Sequence, residues 1–64
     1  MDPNAAVRML ENAVSAGDLE SANEHYQHIT EWRAKGGFMH PALVNRFNAV
    51  TPILQFLQRT TATT

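Results

Sequence analysis

Apolar residues recur at helical spacing in three stretches of the chain, separated by glycine- and proline-containing punctuation. The first stretch holds Ala6, Met9, Leu10, Ala13 and Val14, which gather on one side of a helix. Asp2 can cap the free amides ahead of it, Pro3 suits a first helical position because it has no amide proton to waste, and Gly17 suits the left-handed residue that closes a helix. The spacing predicts a helix over residues 3–16. Asp18 offers a new cap at once, with Glu20 in the following turn, and Leu19, Ala22, Tyr26, Ile29 and the aliphatic stem of Arg33 form a second stripe over residues 19–34. A connection as short as Gly17-Asp18 forces the two helices to be antiparallel neighbours.

Lys35-Gly36-Gly37 ends the second helix, and Pro41 begins a third in which Leu43, Phe47, Val50, Leu54 and Leu57 alternate spacings of four and three, a heptad-like seam. Pro52 falls inside this seam's span. It either kinks one long helix or starts a separate one capped by Thr51. Its wheel position opposite Leu43, Phe47 and Leu54 favours the kink, because the carbonyl that loses its donor then faces water. The expected fold is all-α: an antiparallel helical hairpin plus a third, Pro-kinked helix, making a three-helix bundle, or four helices if Pro52 breaks the last one. Residues 1–59 form a single domain, and the threonine-rich residues 60–64 are expected to fray because they have nothing to bury.

With 64 residues and no cysteine, neither disulfides nor a thiolate zinc site can support the small core, which leaves helix packing or self-association. No apolar run approaches the roughly 20 residues that cross a bilayer. Met1-Asp2-Pro3-Asn4 lacks the basic start of a secretory signal, so the expected location is cytoplasmic. The formal charge of −1 conceals a polarity, since every acid precedes Trp32 while Arg33, Lys35, Arg46 and Arg59 follow it and only Arg8 crosses the divide. Such polarity can steer an acidic partner or align two copies head to tail.

Candidate chemistry is sparse. Ser15 and Ser21 have no glycine-flanked elbow, and Glu20 and Glu24 lie on the polar side of the second helix. His25 and His28 share a side, with His40 in conceivable reach, but no third ligand has convincing spacing. Gly36-Gly37 follows a helix and precedes no Lys-Ser or Lys-Thr pair, so it is not a phosphate loop. No enzymatic activity, cofactor or metal is expected. Nucleic-acid binding would require Arg33, Lys35 and Arg46 to converge on one exposed face.

Aromatic residues say more. Trp32 lies about a quarter turn from the centre of the second stripe, beside His25 and His28. One placement makes Trp32, Phe38 and Met39 exposed anchors for a partner protein, with His28 and Arg33 as the polar rim. The competing placement has the third helix cross over and bury Trp32 and Phe38. Val44, Ile53 and Phe56 lie off the main seam, and together with Phe47 they are assigned to a homodimer interface.

Two segments resemble known families. Gly17-Asp18-Leu19-Glu20, followed by Ala22 and Tyr26, is similar to the turn and second helix of a tetratricopeptide repeat over about half the chain, which implies a tight hairpin. Trp32, Gly36, Gly37 and Phe38 form a Trp-x-x-x-Gly-Gly-Phe segment that resembles one in small accessory proteins of actinobacterial bacteriophages. Ile29-Thr30 stands where those proteins usually carry Leu-Asp, and Pro41 comes three residues after Phe38 instead of two. That resemblance implies a phage-encoded protein acting in the host cytoplasm on a host or phage protein. The functional expectation is a protein–protein interaction module, with a self-assembling homo-oligomer and a helical nucleic-acid binder as alternatives.

Overall fold

The structure is a computed structural model that describes residues 2–62, with side chains to Arg59. Three helices follow one another, α1 (Pro3–Ala16), α2 (Leu19–Ala34) and α3 (Pro41–Ala62), and no strand occurs among the described residues. The all-α, three-helix arrangement expected from the periodicity is the one observed.

Each helix boundary has a local cause. Asp2 Oδ1 accepts from the amides of Asn4 at 3.0 Å and Ala5 at 3.4 Å, and Asp18 Oδ1 accepts from that of Ser21 at 3.2 Å. Hydrogen bonding from Ser21 holds the Asp18 carboxyl below its ordinary range. α3 is capped by a residue the sequence did not single out for the role: His40 Nδ1 accepts from the Ala42 amide at 3.2 Å, while its carbonyl takes the amides of Leu43 and Val44.

α1 and α2 end alike. Gly17 takes φ 72° and donates to the Val14 carbonyl, while the Asp18 amide reaches Ala13. Gly36 takes φ 99° and donates to Arg33, while the Gly37 amide reaches Trp32. Both are the paired backbone closure that satisfies terminal carbonyls through one left-handed residue.

The core is drawn from all three helices and the connecting loop: Val7, Leu10, Ala13 and Val14 of α1, Ala22 and Ile29 of α2, Met39, and Leu43, Phe47, Val50 and Leu54 of α3. α1 and α2 share the most extensive contact, as the two-residue connection requires; α3 packs next on α1 and least on α2. One side of the first stripe needs correction. Met9 is 50% exposed and Val7 is fully buried, because the buried line of α1 runs through Val7, Leu10 and Val14 and leaves Met9 more than a quarter turn away.

α3 passes through Pro52 unbroken, so the four-helix alternative falls. Pro52 is exposed, as its wheel position required, and the Thr51 hydroxyl donates to the Phe47 carbonyl at 2.8 Å one turn back. The helix continues to Ala62, past the expected end of the domain at residue 59; residues 63 and 64 of the expected tail lie outside the described residues. At 22 residues α3 spans roughly 33 Å against about 21 Å for the 14 residues of α1. A helix that much longer than its neighbour has a flank the neighbour leaves uncovered.

Candidate interaction surface

That flank forms a groove of about 610 Å³ between α1 and α3. Val14 supplies its apolar wall on α1, and Ala49, Val50, Ile53 and Leu57 supply the α3 wall. Val14 and Val50 belong to the core, so the groove floor is the edge of the core itself. Ile53 is 52% exposed on the rim, and Phe56, three residues on and therefore beside it, is 66% exposed. Ser15 is the groove's one uncharged polar side chain.

Glu11 and Arg46 complete the lining as a two-pronged pair, Arg46 Nη2 donating to Glu11 Oε1 at 2.5 Å and Nε to Oε2 at 3.2 Å. The hydrogen bond from Arg46, followed by its charge and that of Arg8, holds the Glu11 carboxyl below the usual glutamate range, and the same bond raises Arg46. A carboxyl depressed by folding stabilises the fold above its unfolded pKa, and that stability disappears as pH falls through the folded value. Glu11→Gln should therefore flatten the acid limb of the stability curve: the deficit of the variant near neutrality should vanish below the ordinary carboxylate range. Urea titrations followed by circular dichroism at neutral and acid pH check it, and a deficit that stays constant into acid would deny the pair its role.

The structure divides the residues singled out from sequence. Phe38 is 76% exposed and His28 is exposed, but Met39 is buried at 6%. The placement of Met39 on an exposed patch is thus corrected: the loop turns it inward to close the core between α2 and α3. Trp32 is half-buried against the core, its indole lying over Gly37 so closely that a Cβ there would overlap the ring. Arg33 is exposed, with Cζ 6.0 Å from the Phe47 ring centroid.

Phe47 itself is 5% exposed and stacks on Tyr26, centroids 5.3 Å apart and planes 11° off parallel. Its assignment to a dimer interface is corrected, because a seam residue stacked inside the core has no face left for a second chain. Val44 is partly buried against the core, on the side of α3 away from the groove. Ile53 and Phe56 alone keep the exposure that interface requires.

Arg33 and Arg46 do not gather. Arg46 is engaged by Glu11 between α1 and α3, whereas Arg33 lies over Phe47, which faces Tyr26 of α2. Among the described residues no group of three or more His, Asp or Glu could hold a metal ion, and no helix is long and apolar enough to cross a membrane. Sequence reading missed the groove because its two walls belong to different helices. Ala49 was the available signal, a small residue one turn before Ile53 on the same flank.

Comparison with known proteins gives no relative from which a role could be carried over: no family model, curated protein or solved structure matches the chain.

Proposed function

We propose that the chain is a protein–protein interaction module without catalytic activity, and that it binds through the groove between α1 and α3. The observation that supports this reading is the adjacency of an apolar groove of about 610 Å³ to two large exposed apolar side chains, Ile53 and Phe56. Contiguous apolar surface on so small a chain marks a contact. Burying a side chain of this size from full exposure is worth about 1.5–3 kcal/mol, so covering what Ile53 and Phe56 still expose contributes roughly 3 kcal/mol before any contact in the groove.

Phe38 is a second anchor on this reading, while Trp32 serves to hold the loop. The bacteriophage-like Trp-x-x-x-Gly-Gly-Phe segment adds the proposal of a phage-encoded accessory protein working in the host cytoplasm. Phe56→Asp should abolish capture of the bound protein, own copy or other, by the tagged chain in nuclease-treated lysate while helical circular dichroism stays unchanged. Retention of the same protein by the variant would remove the groove from the reading, and capture lost with nuclease in the parent chain would favour nucleic acid.

A further inference from the structure

The interval that builds the buried seam of α3 occurs twice on that helix. Leu43, Phe47, Val50, Leu54 and Leu57 turn toward the chain's own core; Ala42, Arg46, Ala49, Ile53 and Phe56 repeat the same four-three-four-three spacing one residue earlier. One residue rotates a helical line by about 100°, so the second seam runs along the flank where Arg46, Ala49 and Ile53 line the groove. Side chains at this spacing are what a second helix accepts, knobs into holes.

We propose that the occupant is α3 of a second copy of this chain, laid antiparallel over the groove about a two-fold axis midway between Pro52 and Ile53. The proposal rests on the interaction reading above and names its partner. Size complementarity selects the arrangement: an axis there is equally far along the helix from Ala49 and Phe56, so it sets the one opposite the other, and does so twice. The small side chain makes the hole that the large one fills. A parallel arrangement would oppose Phe56 to Phe56 and leave two alanines facing each other.

Charge agrees. The charged residues lining the groove, Glu11 and Arg46, neutralise each other, and the chain carries a net charge of −1, so two like faces meet without strong repulsion. A highly charged partner would find nothing there to recognise it. The chain also has no cysteine, and no metal-holding group among the described residues, so a core this small rests on helix packing, which self-association would extend.

The test uses the full chain, whose lack of cysteine makes a single introduced thiol unambiguous. Ile53→Cys places the thiol beside the axis, and mild oxidation should give a disulfide-linked dimer more than about tenfold faster than Glu24→Cys on the exposed side of α2, through effective concentration at the interface. Sedimentation equilibrium of the unaltered chain should show the mass of two chains at micromolar concentration, and Ile53→Asp should halve it with helicity retained. If the aspartate variant fails to fold, the cysteine rates still decide. A mass of one chain at high micromolar concentration, or equal cross-linking at positions 53 and 24, overturns the proposal. A single-chain mass alongside Phe56-dependent capture of a different protein overturns the second copy alone and leaves the groove reading standing. Loss of both removes both.

Discussion

Leu10→Ala is expected to leave most of the chain unfolded at physiological temperature. Leu10 is fully buried in α1, on the line with Val7 and Val14 that the whole core packs around. Truncating a buried leucine costs about 2–5 kcal/mol, transfer and cavity together, and a core of this size seldom supplies more than about 3–5 kcal/mol in all. The neighbouring Met9→Ala should change stability by no more than about 0.5 kcal/mol, because Met9 is half exposed. Urea unfolding of the two variants at one protein concentration, followed by circular dichroism, separates them. Equal losses would mean that the buried line of α1 is not the one described.

The second large effect concerns the loop. Gly37→Ala should destabilise by roughly 1–3 kcal/mol and shift the emission of Trp32 to longer wavelength, since a Cβ at position 37 overlaps the indole and drives it outward. Trp32 is the one tryptophan in the chain, so the emission reports the surroundings of this indole. Gly36→Ala separates two reasons for glycine. At φ 99° with nothing within 4 Å of the new atom, it should cost about 1–2 kcal/mol of backbone strain and leave the tryptophan emission where it was. An unshifted emission in Gly37→Ala would remove the indole from above the glycine.

These two glycines give the Trp-x-x-x-Gly-Gly-Phe segment a physical content. Trp32 supplies the carbonyl that the Gly37 amide satisfies, Gly36 supplies the left-handed turn, and Gly37 supplies room for the indole. Phe38 is the segment's one residue with no part in that closure, and it is 76% exposed. The closure accounts for the pattern as a helix ending, and contact with a partner is the role proposed for Phe38.

Both ends of α1 and α2 and the start of α3 were legible in the sequence because each has a short-range chemical cause: Asp2 and Pro3, Gly17 and Asp18, Gly36, Pro41. The unbroken passage through Pro52 was legible for the same reason, since a wheel places its lost hydrogen bond in water. What the periodicity left open was the rotation of each helix. In α1 the exchange of Met9 for Val7 is a matter of turning one stripe, and nothing within a single helix fixes that angle. Met39 was illegible for a different reason: it stands in a loop, where no period tells inward from outward.

The dimer-interface residues failed in a third way, through being read one at a time. Phe47 sits on the inner seam of α3 and is taken up by Tyr26, whereas Ile53 and Phe56 sit on a second seam that becomes visible once Ala49 and Arg46 are read with them. A groove is a relation between two helices. A third helix longer than the first was already present in the expected spans, from Pro41 toward residue 59 against 3–16, and is the feature from which the groove could have been anticipated.

The most direct test of the interaction surface is a dilution series of amide proton–nitrogen NMR spectra on the full chain, from high to low micromolar concentration. The account predicts concentration-dependent shifts centred on Glu11, Val14 and Ser15 of α1 and on residues 46–57 of α3, with Tyr26 and Ile29 unmoved. Spectra that do not change with concentration, or that change at Trp32 and Phe38 in place of the groove, would contradict it.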